Sequence, residues 1–378
     1  MFSRNKMSPL KSKLVLIFIL FQLTACSGGS LKNDEDVWFF PTSANQISET
    51  EWNVPIHHWV FEKEEKSFSR TATQKVLSEA LEGLGVSEEQ SKSSVVQQRL
   101  MWFLVDNKRK KLIEINLNGK VKKLNPTEPN GHANTNLKLQ NVEPSRARQQ
   151  FLLFKTDPKG EALAESKQGG WLSYKAVSTL KNTRLYTGEV QFIPKTGLSV
   201  ISDIDDTIKV SQVLDKKELI KNTFVKSYKV TEGFPEYYKK LAKQGAYFHY
   251  VSASPWQLQP SLKPFMDAHY PKGTIALRNF RLKDSSILDF LKPSTDYKIK
   301  QIKSIIERYP EHQFILIGDS GEHDPEVYAK IYDLFPKNIQ SIQIRAVEGS
   351  DLSDARFSET FKLVPKLIWQ VFAKPQIQ

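Results

Sequence analysis

The 378 residues are 39% hydrophobic and 25% charged, the balance of a water-exposed globular chain long enough for two or three domains at roughly 100–200 residues per core. A formal charge of +12 suits anionic lipid as well as nucleic acid. No zinc-finger spacing, basic heptad helix or aromatic RNA-binding signature accompanies it, so nucleic acid is not an expected partner. The single cysteine, Cys26, excludes an intrachain disulfide and a thiolate metal site.

In chain order, the first element is an apolar run from Leu14 to Leu23, preceded by Arg4, Lys6, Lys11 and Lys13. At about 10 residues it falls short of the ~20 that cross a bilayer as a helix, and it reads as an export signal. Leu23-Thr24-Ala25-Cys26 closes the run and resembles the lipobox of bacterial lipoproteins. That resemblance implies loss of residues 1–25, lipidation of Cys26 and export. The chain would then be anchored to the bacterial cell membrane or outer membrane, on the periplasmic or extracellular side. The four basic residues would leave with the signal, taking the formal charge from +12 to +8. Residues 26–35, with Ser27-Gly28-Gly29-Ser30, then form a flexible tether. The plain alternative is a free or buried cysteine after a short transmembrane segment.

Residues 36–195 read as a helical and β-rich accessory region. Val37 to Pro41 and Ile56 to Phe61 are apolar runs bounded by turn formers, which predicts strands. Ala72, Val76, Leu77, Ala80 and Leu81 mark a helical face stopped by Gly83, and Ser87 before Glu88, Glu89 and Gln90 predicts a second helix start. Leu112 to Leu117, Leu137 to Leu139, Phe151 to Phe154, Trp171 to Val177, Thr183 to Val190 and Phe192 predict a run of short strands.

From residue 196 to 350 the pattern changes. Apolar strands at Leu198 to Ile201, Ala246 to Val251, Phe314 to Ile317 and Ile342 to Val347 alternate with helices. These helices run from Phe234 to Leu241, from Tyr297 to Tyr309 and from Val327 to Leu334. Such alternation predicts an α/β fold, a Rossmann-like parallel sheet flanked by helices. Chemistry in that arrangement collects at the carboxyl ends of the strands. Residues 351–378 read as a C-terminal extension.

The polar residues at those strand ends form a constellation. Asp203, Asp205 and Asp206 crowd together after the first strand, where three carboxylates repel unless a cation neutralises them, and Mg²⁺ favours such hard oxygen ligands. The spacing of Asp203 and Asp205 suits a nucleophile and a general acid and base, the latter requiring a raised pKa. Ser252 follows the second strand and can donate its hydroxyl to phosphate. Lys298, with Lys300 as its rival, can neutralise carboxylate and phosphoryl charge. Asp319 and Asp324, around Gly318 and Gly321, supply a second acidic pair.

The order Asp-x-Asp-x-Thr, Ser, Lys and Gly-Asp-(four residues)-Asp resembles the four motifs of the haloacid-dehalogenase-like phosphatase superfamily. The strings SVISDIDDTIK, FHYVSASPWQL, LRNFRLKD and FILIGDSGEHDPEVY resemble the catalytic domain of the actin-patch-associated phosphatidate phosphatases, relatives of lipins with uncharacterised bacterial members. They cover about residues 197–347, under half of the chain. The resemblance implies hydrolysis of phosphatidate to diacylglycerol and phosphate through an aspartyl-phosphate on Asp203. Asp205 would serve as acid and base, Thr207 as loop support, and Ser252 and Lys298 as phosphate ligands. Asp203, the backbone carbonyl of Asp205, Asp319 and Asp324 would hold Mg²⁺. Arg278, Arg281 and Lys283 would meet substrate or form structural ion pairs, and the segment from Ile208 to Val230 would be a small cap. Two other readings stand beside this one: the same chemistry on a soluble sugar or nucleotide phosphate, and a non-catalytic surface protein using the aspartates as a cation site. Protein partners are unknown at this stage.

Overall fold

A computed structural model describes residues 29–63, 68–117, 119–140, 170–177, 184–279 and 295–375. The expected signal, Cys26, the start of the tether, the candidate strand from Phe151 to Phe154, and Arg281 and Lys283 lie outside the described residues. Among the described residues no helix is long and apolar enough to cross a membrane.

Two sheets organise the chain. The first half contains the strands β1 (Glu35–Phe40), β2 (Thr42–Gln46) and β3 (Glu51–Glu62), followed by the helices α1 (Phe68–Gly83), α2 (Glu88–Ser91) and α3 (Ser94–Leu100). The strands β4 (Asp106–Asn107), β5 (Glu114–Leu117), β6 (Lys120–Lys123), β7 (His132–Gln140), β8 (Trp171–Ala176) and β9 (Thr187–Ile193) complete it. The nine strands form one sheet in the order β1-β3-β2-β9-β8-β5-β6, with β4 and β7 also on β3. Strand β3 shows why the sheet needs two coverings. Val54, Ile56 and Val60 join a core with Val190 and Phe192, whereas Trp59 and Phe61 on its opposite face pack with Phe40 and, from the second half, Trp256. The run from Ile56 to Phe61 is therefore apolar at nearly every position because both faces of this strand end are buried.

The described buried side chains of α1 and α3 pack away from that sheet. Leu77, Leu81, Val86, Val96, Leu100 and Phe103 enter the core built around Phe224, Phe234 and Phe248 of the second half. The predicted helix start at Ser87 is present as a capping box: the Ser87 hydroxyl accepts from the Gln90 N–H, and the Gln90 side chain accepts from the Ser87 N–H.

The second half runs through β10 (Thr196–Ser202), α4 (Lys216–Ile220), α5 (Phe234–Lys243), β11 (Tyr247–Pro255), α6 (Gln259–His269) and β12 (Thr274–Arg278). It continues with α7 (Thr295–Arg308), β13 (Glu311–Asp319), α8 (Asp324–Leu334), β14 (Ile339–Arg345), α9 (Asp354–Thr360) and β15 (Trp369–Phe372). All six strands are parallel, in the order β12-β11-β10-β13-β14-β15. The mixed α/β architecture with a parallel sheet is the one expected. Its last strand comes from the stretch read as an extension, since β15 pairs with β14 from Ile342↔Trp369 to Arg345↔Phe372.

Alternation along the central strands explains why helices cover both sides. In β10, Val200 faces one core and Ile201 the other, and in β13, Ile315 and Ile317 face the first while Phe314 and Leu316 face the second. Each such fully buried aliphatic side chain contributes about 1.5–3 kcal/mol. The chain winds outward from β10 through β11 to β12, then returns to the other side of β10 for β13 to β15. The sheet order thus reverses between β10 and β13, which opens a crevice at their carboxyl ends.

Candidate active site

Asp203 follows β10, and Asp319 is the last residue of β13, so both carboxylates stand at that reversal. Asp324 opens α8, with Pro325 in the first turn, where a missing N–H costs nothing. Ligand oxygens of Asp203, Asp319 and Asp324 lie within 4.8 Å of one another, and the three residues are 2%, 0% and 0% exposed. The acidic pair after β13 and the acidic cluster after β10, separated by more than a hundred residues, therefore form one buried group.

Lys298 is their counter-charge. Its Nζ sits 2.6 Å from Asp324 Oδ1, 2.8 Å from Asp203 Oδ1 and 3.0 Å from Glu322 Oε2. Lys298 shares the buried face of α7 with Ile302 and Ile306, each four residues further on, so the helical repeat that seats two isoleucines in the core carries the lysine into the site. Lys300, two residues round the helix, is exposed. Of the two lysines, Lys298 is thus the one beside the carboxylates, and the four-residue spacing was the sequence signal that could have told them apart. Glu322 was missed by sequence reasoning, although it lies inside the quoted motif string.

The hydrogen bonds leave particular oxygens free. Asp319 Oδ1 accepts the N–H groups of Gly321 and Glu322, while its Oδ2 is buried with no hydrogen-bond partner. Asp203 Oδ2 is likewise buried without a partner. Asp324 Oδ2 accepts the Asp319 N–H at 3.1 Å. Burial, aggravated by Asp324, Glu322 and Asp205 and only partly relieved by Lys298, pushes the Asp203 carboxyl well above its usual range. Burial together with Asp324 and Asp203 does the same to Asp319. The Lys298 ammonium is opposed by burial but held well above its ordinary pKa by Asp203, Asp324 and Glu322. Three carboxylates on one ammonium, with Asp319 beside them and unpartnered buried oxygens on Asp203 and Asp319, are a donor set that fits a small hard divalent cation.

Glycine at 318 is a packing requirement. A Cβ there would lie 2.4 Å from Asp324 Oδ2 and 2.7 Å from the Asp324 Cβ, distances that force backbone to move. Gly318→Ala is expected to displace the start of α8 and weaken any divalent cation that this group binds by about 10- to 100-fold, read by calorimetric titration. Unchanged affinity would mean that Asp324 has room to spare.

Asp205 departs from expectation. Its side chain is not among the three that could hold a cation, which leaves the role expected of its backbone carbonyl untouched. Oδ1 accepts from the Ser211 hydroxyl at 2.7 Å and lies 2.8 Å from Lys209 Nζ, and Oδ2 accepts from the hydroxyls of Ser252 at 3.1 Å and Ser254 at 2.9 Å. Burial pushes this carboxyl up, but the Lys209 ammonium and the hydrogen bonds from Lys209, Ser211 and Ser254 outweigh it and hold the group below the usual carboxylate range. The raised pKa expected of an acid and base is thus absent in this arrangement, because the neighbours are donors rather than carboxylates. Lys209, Ser211 and Ser254 were not singled out from sequence; a lysine inside the apolar run Ile208-Lys209-Val210 was the available sign.

Ser252 is buried at the end of the site, donating to Asp205 and accepting the Ser254 N–H. The Thr207 hydroxyl is fully buried without a hydrogen-bond partner. Asp206 staples the loop instead: its carboxylate accepts the N–H groups of Ser211, Gln212 and Val213. Arg278 ends β12, partly buried, near enough to Tyr297 to oppose the burial that raises the Tyr297 hydroxyl. The segment read as a cap contains α4 and a single wide turn, Lys221–Val225. Trp256 packs its ring 4.3 Å from Phe40 and 4.8 Å from His57, joining the second half of the chain to the first sheet.

Residues 198–346 match the family described as phosphatidate phosphatase APP1, catalytic domain. The matched residues begin within β10 and run past the end of β14, so they contain every carboxylate of the cluster and Lys298. A Saccharomyces cerevisiae protein named phosphatidate phosphatase APP1 is 36% identical over 168 residues, which is 43% of this chain and 28% of that protein. An uncharacterized Schizosaccharomyces pombe protein is 32% identical over 172 residues, 44% of this chain and again 28% of the relative. The chain thus spans little more than a quarter of the length of these curated relatives. A solved carbohydrate esterase overlays at a TM-score of 0.19 and 10% identity, over 87% of this chain and 94% of that one, which carries no argument.

Proposed function

We propose that this protein is a Mg²⁺-dependent phosphomonoesterase of the haloacid-dehalogenase-like type that hydrolyses phosphatidate to diacylglycerol and phosphate. The observation that carries the reading is the convergence of Asp203, Asp319 and Asp324 within 4.8 Å, with Lys298 on Asp203, at the point where the sheet order reverses. A phosphoryl group bound there would meet a carboxylate with a free oxygen, an ammonium and a serine hydroxyl. The 36% identity to a relative named as a phosphatidate phosphatase supports the choice of lipid substrate.

Asp203 Oδ2 is the free oxygen and therefore the nucleophile. It bonds to phosphorus as the bond to the alcohol oxygen breaks, and that oxygen takes a proton from Asp205, which has to enter the step protonated rather than as the carboxylate that Lys209 and the neighbouring serines favour. Asp205 then takes a proton from water as the water attacks phosphorus, releasing phosphate and restoring Asp203. Lys298 holds the phosphoryl oxygens while keeping its contact with Asp203, and Ser252 turns its hydroxyl toward them. A Mg²⁺ held by Asp203, Asp319, Asp324 and the Asp205 carbonyl would neutralise charge on the transferring phosphoryl group.

The test is inorganic phosphate release from phosphatidate in mixed micelles and from soluble sugar and nucleotide phosphates, each with Mg²⁺ or with EDTA. Mg²⁺-dependent release fastest from phosphatidate is expected. A preference for a soluble ester transfers the same chemistry to another substrate, and no release from any ester leaves a cation-binding protein.

The proposal includes attachment of the exported chain to a membrane through lipidated Cys26, motivated by the run Leu23-Thr24-Ala25-Cys26 after a basic, apolar leader. Labelled fatty acid is expected on the wild-type protein in bacterial cells and not on Cys26→Ala. Equal labelling of both would place the lipid elsewhere or nowhere.

A further inference from the structure

Arg356 stands in the first turn of α9, in the stretch read as a C-terminal extension. Its neighbour Phe357 is buried in the core that holds Ile302 and Ile306, and its own N–H is capped by the Ser353 hydroxyl. From this base the side chain reaches back to the loop after β13. Nη1 donates to the Ser320 carbonyl at 2.7 Å and to the Asp351 carbonyl at 3.1 Å, while Nη2 donates to the Glu322 carbonyl at 3.2 Å and to Glu326 Oε1 at 3.3 Å. Ser320 is held at its other polar groups too. Its N–H bonds the Arg345 carbonyl, and its hydroxyl oxygen accepts the Val347 N–H and pairs with Ser350 Oγ at 2.6 Å.

The Ser320 carbonyl and the Gly321 N–H belong to one planar peptide. Arg356 bonds the oxygen of that peptide, and Asp319 Oδ1 accepts its N–H at 2.6 Å. A rigid plane carries the position of the guanidinium to the carboxylate, because turning the carbonyl away from Arg356 turns the N–H away from Oδ1. The same carboxylate oxygen accepts the N–H of Glu322, whose carbonyl is the second one that Arg356 holds. With Oδ1 fixed in this way, the orientation of the buried, unpartnered Asp319 Oδ2 is fixed as well.

We propose that Arg356 is a positioning residue for the cation-binding group, acting on Asp319 through the Ser320–Gly321 peptide. It rests on the divalent-cation part of the proposed function, and it lies outside the four motifs and beyond residue 346, where the family match ends. Charge and geometry give opposite signs here. A guanidinium close to the carboxylates repels a second cation, so its removal would tighten cation binding if charge were all it supplied. A guanidinium that aims Asp319 does the reverse, since its removal lets Oδ2 swing from its place. The loss then falls unequally on two ions, because Mg²⁺ demands near-octahedral ligand placement whereas Ca²⁺ accepts variable geometry.

The experiment is calorimetric titration of the cation-free full chain with Mg²⁺ and, separately, with Ca²⁺. Arg356→Met is expected to weaken Mg²⁺ by about 10-fold and Ca²⁺ by less than about threefold. Arg356→Lys keeps the charge but not the fork that spans two carbonyls. It should weaken Mg²⁺ by a smaller factor, again more than Ca²⁺, and it carries the test if Arg356→Met does not fold. Mg²⁺ binding that is unchanged or tighter would overturn the proposal, and equal losses of both ions would do so too, by reducing Arg356 to a support of α9. A wild-type chain that binds neither ion is a different failure, that of the cation site itself.

Discussion

Asp203→Asn is expected to lower turnover of every phosphomonoester that the wild-type protein accepts by about 10⁴-fold or more, while raising the thermal midpoint of the cation-free protein. The two effects have one cause. Asp203 is 2% exposed, its Oδ2 has no hydrogen-bond partner, and two further carboxylates, Glu322 and Asp324, pair with the same ammonium. An amide cannot form the acyl phosphate, so the covalent route is lost. The amide is also neutral, so the substitution removes one member of a repelling buried group, and Lys298 retains Asp324 and Glu322 as partners. Steady-state kinetics and differential scanning calorimetry in EDTA read the two halves separately. Loss of activity with a lower midpoint would mean that Asp203 supports the fold, and turnover near the wild-type rate would remove it as nucleophile.

Removal of divalent cation should have the second large effect, about 10³-fold in rate, the equivalent of several kcal/mol of charge stabilisation. Its stability effect depends on pH in a defined direction. The folded pKa values of Asp203 and Asp319 lie above their unfolded values. Below the ordinary carboxyl range both states hold the protons and folding bears no charge penalty. As pH rises from there through the raised folded values, the cation-free fold loses stability. The raised Lys298 contributes stability below its ordinary pKa and loses it only in strong alkali. Mg²⁺ replaces the protons, so the rise in thermal midpoint on adding it should be larger at pH 8 than at pH 5. With Mg²⁺ at about 100 times its Kd the stabilisation is about 2.7 kcal/mol. A Mg²⁺ effect that is equal at both values, or larger at the acid one, would count against these carboxylates as its ligands.

Much of the second half was legible because its signals are local. Apolar runs at Leu198 to Ile201 and Phe314 to Ile317 became β10 and β13, and the acidic residues after them stand at their carboxyl ends. Elements with weaker patterns were not foreseen. Helix α6 carries Pro264 in its interior, β12 is five residues with only alternate burial, and β15 is four residues on a sheet edge. The first sheet was read as scattered short strands because its long-range pairings, such as β2 with β9 across about 150 residues of chain, leave no local trace.

Residue types and their periodicity by themselves determined the alternation of strand and helix, the acidic strand ends, and the lysine on the same helical face as Ile302 and Ile306. These follow from backbone geometry over a few residues, which any short window contains. Tertiary structure alone decided which groups share charge. It joined Asp203 to Asp319 and Asp324, gave Asp205 to Lys209 instead, and set α1 to α3 against the second sheet. Electrostatic coupling depends on separation in space and on exclusion of water, and neither quantity is written in sequence distance.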